Sequence, residues 1–134
     1  IRNGGTRSAR NENPDDWDNF IDMKGAKIFN FIVKRTPEVG YKNLEINGLN
    51  KEDIDLFIFH QANTHILNKV REDMEIPEEK FVIEMRYYGN TISSSIPIAF
   101  LEHLRKYPEK AKNKIQLIGF GVGYSWGAIC IEKS

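Results

Sequence analysis

The sequence predicts an α/β fold: a layered, mixed β-sheet with packed helices. Three observations carry this. Short apolar runs at 54–60, 81–85 and 115–120 alternate with longer stretches of helical periodicity. The connections between those runs are long enough to return each strand parallel to the last. The final connection, Gly121-Val122-Gly123, is short, so the strand after it, 124–132, must run antiparallel.

Residues 1–22 read as an irregular N-terminal segment, because the polar, Gly-containing stretch up to Asn19 has no helix or strand periodicity. The chain opens inside this loop without a methionine, as a fragment or processed chain would. Residues 23–134 read as one domain.

The stretch 23–46 reads as helix. Ile28, Ile32, Arg35 and Val39 share one face, widened by Phe29, Phe31 and Val33. Pro37 either bends one continuous helix or opens a second one capped by Thr36, and the continuous, bent helix is the reading adopted. Gly48 supplies a stop, and Asn50 caps a short turn.

An apolar strand then ends on His60, and a helix over 62–75 follows with Ala62, Ile66, Val70 and Met74 on its buried face. After the turn 76–80 comes the strand 81–85. Ser93, Ser94 and Ser95 cap a helix that holds Pro97 in its first turn. Its inner face is read as Ile96, Phe100, His103 or Leu104, and Tyr107. Residues 106–114 form a basic turn before the strand 115–120.

With 134 residues, 19 basic and 19 acidic, the chain has core enough for one domain and no net charge to draw it to nucleic acid or a membrane surface. Cys130 is the single cysteine, so no internal disulfide forms, in keeping with a reducing cytoplasm. No apolar run approaches the roughly 20 residues of a membrane span, and no signal peptide is visible.

His60 and Asn90 each stand at the junction before a helix, and such junctions collect at one edge of an α/β sheet. An imidazole and a carboxamide side by side can donate to one carbonyl oxygen and stabilise an oxyanion or enolate. The spacing fits equally a structural histidine and a turn asparagine. Gly119-Phe-Gly121-Val-Gly123 is no dinucleotide loop, because a strand follows it where a helix is needed. It is either a turn presenting backbone N–H groups to a site or a plain hairpin. His60 and His65, five apart and without a completing carboxylate or cysteine, give no metal site. Cys130, within Ala128-Ile-Cys-Ile131, reads as a small buried hydrophobe. Arg2, Arg7 and Arg10, and the group Arg105, Lys106, Lys110, Lys112 and Lys114, read as solvated faces.

Together, His60-Gln61-Ala62-Asn63, Tyr88-Gly89-Asn90-Thr91 and Gly119-Phe-Gly-Val-Gly-Tyr-Ser-Trp-Gly127 resemble the C-terminal half of β-ketoacyl-acyl carrier protein synthase III. Met23-Lys24-Gly25 and Asp53-Ile-Asp55 are similar too. The resemblance runs from about residue 20 to the end and implies one half of a thiolase-like fold.

It also implies a decarboxylative Claisen condensation of an acyl-CoA with malonyl-acyl carrier protein in fatty acid synthesis, with no cofactor. His60 and Asn90 would match the family's catalytic pair on the malonyl thioester carbonyl. Val122 would match the backbone N–H of the oxyanion hole, Phe120 the aromatic beside the histidine, and Asn63 a contact to the pantetheine arm. The implied partners are acyl carrier protein, acyl-CoA, the chain's own N-terminal half and a second copy in a homodimer.

The family's cysteine nucleophile belongs to the other half, so this chain alone is expected to be inactive. His65 stands where many members carry an arginine for the carrier protein. Two other functions fit the same residues: a non-catalytic domain binding CoA or pantetheine, and a related condensing enzyme of secondary metabolism.

Overall fold

The computed structural model describes residues 24–108, 114–121 and 124–132. The irregular segment expected over 1–22, Met23 at the expected helix start, most of the basic turn and the Val122–Gly123 tip lie outside these residues.

The elements are α1 (Gly25–Ile46), β1 (Leu56–Phe59), α2 (Thr64–Asp73), β2 (Phe81–Val82), α3 (Ser95–Lys106), β3 (Lys114–Gly121) and β4 (Ser125–Glu132). Short 3-10 turns over Lys51–Asp53, Glu78–Lys80 and Ile92–Ser94 join them. The sheet order is β2-β1-β3-β4. β1 pairs in parallel with β2 and β3, and β4 runs antiparallel to β3. The predicted mixed sheet and its single antiparallel pair are present.

All four residues of β1 are buried, as a strand covered on both faces requires. Phe57 and Phe59 pack into the larger core with Ile32, Leu44, Leu67, Val70, Met74 and Ile118, beneath α1 and α2. Leu56 and Ile58 point the other way, into a smaller core with Val82, Ala99 and Ile115 beneath α3.

α1 is continuous through Pro37, as expected. Of the expected face, Ile32 is buried and Ile28, Phe29, Phe31 and Val39 pack partly buried against the same core, while Arg35 is exposed; the fully buried stripe is Ile32, Thr36, Gly40 and Leu44. Two of the four are small because the helix lies close on the sheet. A Cβ at Gly40 would stand 3.1 Å from both Ile118 Cδ1 and Met74 Cε. The same approach lets the buried Gln116 side chain donate to Gly40 O at 2.8 Å and to Asn43 Oδ1 at 3.0 Å. Cys130 Sγ donates to Asn43 Oδ1 at 3.0 Å and is only partly buried, so the expected buried hydrophobe is instead a partly covered thiol with a polar partner, and burial pushes its pKa up.

Further element ends and faces differ, with β1 itself beginning at Leu56 rather than 54. β2 stops at Val82 rather than 85, because two residues on the Glu84 backbone N–H donates to the Gln61 side chain instead of a strand. α2 begins at Thr64 because Asn63 caps it. The fully buried face of α3 is Ser95, Ala99 and His103; of the expected face, Ile96 and Phe100 pack partly buried against the smaller core, His103 rather than Leu104 is buried, and Tyr107 is exposed beyond the helix end.

Candidate active site

His60 follows directly on β1, and its backbone N–H still donates to Ile118 O of β3 at 2.8 Å. The imidazole therefore leaves from the C-terminal end of the two central parallel strands, where ligands bind in such sheets. It is half-buried. Phe120, at the end of β3, meets the ring edge-on with centroids 5.1 Å apart and planes at 88°. Burial pushes the His60 pKa below the ordinary imidazole value, and a hydrogen bond to the Ile92 backbone offsets this only in part. The neutral ring is favoured.

Asn90 sits in the loop that enters α3. Its Oδ1 accepts from Ile92 N at 2.9 Å, closing an Asx turn. Ile92 takes φ +55°, a conformation rare for a β-branched residue. Its backbone is the one bonded to His60. The two predicted site residues are thus connected through the Ile92 backbone, with Asn90 itself exposed.

Gln61 holds the surrounding ends. It is 1% exposed. Its Nε2 donates to Phe59 O at 2.7 Å and Val82 O at 3.2 Å, and its Oε1 accepts from Glu84 N at 2.9 Å. One side chain therefore ties the end of β1 to the end of β2 and to the start of the segment leading to Asn90.

The sequence marks Ser95 only as a helix cap. Its hydroxyl instead turns inward, 2.7 Å from His60 Nδ1 and 3.2 Å from Gln61 N. A polar residue one step inside a helix, where a cap is no longer needed, was the available signal.

Asn63 lies at the same edge but is exposed, and its Oδ1 accepts from Ile66 N at 2.8 Å. Its carbonyl oxygen is committed to the cap, and its amide is the group left to meet a ligand. Val122 lies outside the described residues. His65 is exposed and stacks on Phe29 at 5.6 Å. Among the described residues, no group of three or more His, Cys, Asp or Glu could hold a metal ion, and no helix is long and apolar enough to cross a membrane. Concavities lined by Tyr41, Leu49 and Lys51, and by Asn47, Lys114 and Glu132, lie at the opposite end of the sheet, where β1 and β3 begin.

Residues 44–133 match the family model described as 3-Oxoacyl-[acyl-carrier-protein (ACP)] synthase III C terminal. The chain is 41% identical to the beta-ketoacyl-[acyl-carrier-protein] synthase III of Geobacillus kaustophilus over 86% of its own length and 37% of that protein's. A crystal structure of a 3-oxoacyl-(acyl-carrier-protein) synthase III covers 98% of this chain and 42% of its own at TM-score 0.86 and 34% identity. The 3-oxoacyl-[acyl-carrier-protein] synthase III of Aquifex aeolicus gives TM-score 0.79 and 37% identity over 88% of this chain and 38% of its own. The chain thus spans a little over a third of the curated relatives it matches.

Proposed function

The chain belongs to the 3-oxoacyl-[acyl-carrier-protein] synthase III C-terminal family, and we propose that it forms the decarboxylating side of a condensing site completed by an N-terminal half. Residues 23–134 are that C-terminal domain. The observation that carries the reading is the link from His60 through the Ile92 backbone to Asn90 at the C-terminal edge of β1.

In this reading a cysteine of the other half takes the acyl group from an acyl-CoA. Malonyl-acyl carrier protein then enters. Its C–C bond to the carboxylate breaks, carbon dioxide leaves, and the electron pair passes onto the thioester as an enolate. The His60 Nε2–H, exchanging the Ile92 backbone carbonyl for the substrate, and the Asn90 amide donate to that thioester oxygen where the charge develops. The neutral imidazole is the useful form, because it offers one directed N–H without needing a proton from solvent. Phe120 packs edge-on to the ring and limits its rotation. The enolate carbon attacks the acyl-cysteine carbonyl, and the tetrahedral oxyanion is held by the Val122 backbone N–H. The cysteine thiolate leaves with the electron pair. The Asn63 amide meets the pantetheine arm. No cofactor takes part in these steps. The working form is a homodimer in the cytoplasm, acting in fatty acid synthesis.

The test uses a protein carrying both halves. Carbon dioxide release from malonyl-acyl carrier protein is followed separately from acyl loading of the cysteine, in His60→Ala and Asn90→Ala. Each substitution is expected to lower decarboxylation by about 10²–10³-fold while loading persists. Normal decarboxylation in both variants would show that these residues are structural.

A further inference from the structure

We infer that Ser95 is a positioning residue whose hydroxyl donates to His60 Nδ1 and so fixes the imidazole as its Nε2–H tautomer. This rests on the reading of His60 as a donor to the thioester oxygen, and it adds to that reading the group that aims the donor.

The argument is one of hydrogen counting. Ser95 Oγ has two near polar neighbours, Gln61 N at 3.2 Å and His60 Nδ1 at 2.7 Å. The Gln61 backbone N–H can only donate, so it occupies a lone pair of Oγ. The hydroxyl hydrogen then needs an acceptor. Ser95 is 2% exposed, so bulk water does not supply one. Among the described residues the acceptor within reach is His60 Nδ1. With Nδ1 accepting, the ring proton of the neutral imidazole must sit on Nε2.

The opposite tautomer would place a proton on Nδ1 and leave a buried hydroxyl hydrogen without a partner. The usual penalty for such a group corresponds to a tautomer preference of roughly fivefold to a hundredfold. A doubly protonated ring would meet the same conflict. The lowered pKa of His60 agrees with this.

The backbone reinforces the geometry from both sides. Gln61 follows His60 directly, and its side chain is locked between Phe59 O, Val82 O and Glu84 N. The N–H that fills Ser95 Oγ therefore belongs to a fixed residue. Ser95 in turn is set by the first turn of α3, whose inner face packs on the sheet through Ala99.

The test reads the tautomer directly. In a two-halved protein labelled with ¹⁵N-histidine, the His60 signals, assigned by their loss in His60→Gln, are expected to show Nε2 protonated and Nδ1 bare. Ser95→Ala should shift that balance by at least about fivefold, and Ser95→Thr, which keeps the hydroxyl, should restore it. Decarboxylation should fall about tenfold or more in Ser95→Ala, with acyl loading unchanged and recovery in Ser95→Thr.

A wild-type ring protonated on Nδ1, or an unchanged tautomer in Ser95→Ala, overturns the inference. If Ser95→Ala does not fold, the wild-type and Ser95→Thr spectra decide the matter by themselves. Normal decarboxylation in His60→Ala would sink the catalytic reading instead. The tautomer readout is independent of activity, so the two failures are distinguishable.

Discussion

The backbone N–H of Ile92 donates to Asn90 Oδ1 at 2.9 Å, and this bond holds an isoleucine at φ +55° beside the candidate histidine. Asn90 therefore has two tasks at its two ends. Its oxygen shapes the loop, and its amide is the donor proposed for the substrate.

Those tasks can be separated. Asn90→Ala removes both, whereas Asn90→Asp keeps an acceptor for Ile92 N and removes the donor. Both should lower decarboxylation by about 10²-fold. Only the alanine variant should also lose about 1 kcal/mol of stability, read from the denaturation midpoint. Retained decarboxylation in Asn90→Asp would show that the amide is not the donor.

Ile92 is 77% exposed, so its side chain contributes little packing. Glycine adopts the same backbone without the Cβ clash. Ile92→Gly should raise stability by about 1 kcal/mol, seen as a higher melting temperature. A lower one would mean that the exposed side chain is held by something in the complete protein.

Burial lowers the His60 pKa in the folded chain relative to about 6.5 in the unfolded one. Above that ordinary value the ring is neutral in both states and the fold has its full stability. As pH falls through it, the unfolded chain takes up a proton first. Stability is then lost down to the folded pKa and levels off below it. Denaturation midpoints measured between pH 7.5 and 5 should fall less steeply in His60→Gln than in the wild type. Equal slopes would mean that His60 keeps its ordinary pKa in the fold.

Gln61→Leu preserves the approximate volume but strands two carbonyls and one N–H. It should cost about 2–4 kcal/mol. The loop beyond Val82 should also exchange its amide hydrogens faster. Protection equal to the wild type at Glu84 would show that another group holds that segment.

Gly40→Val should destabilise by about 1–3 kcal/mol, because Ile118 and Met74 already stand where its side chain would go. A denaturation midpoint at or above that of the wild type would show that the helix can lift from the sheet.

Much of this was legible in the sequence. The apolar run ending at His60 fixed a central strand and the direction of the imidazole, and the short Gly-rich connection fixed the antiparallel pair. The buried face of α1 was legible in part: Ile32 is buried and Ile28 and Val39 pack against the core, but hydrophobicity does not mark Thr36 and Gly40, which close approach to the sheet selects. The second strand is shorter than its apolar run suggests because Gln61, which takes over from the ladder after Val82, looks like any polar residue of a loop. Ser95 escaped for a similar reason: its partner lies 35 residues away, and local spacing carries no trace of it.

Gln116, whose side chain reaches across to Gly40 and Asn43 of α1, also acts as a registration pin for the sheet. Sliding β3 by one residue would turn that amide to the other face and leave it without its carbonyl acceptors. Phe120 lies four positions further along the same face of the same strand, and its ring is the one against His60. A buried amide roughly 13 Å along the strand thus keeps the wall of the imidazole in place. Alignment at the site is set in part by a hydrogen bond made where no substrate goes.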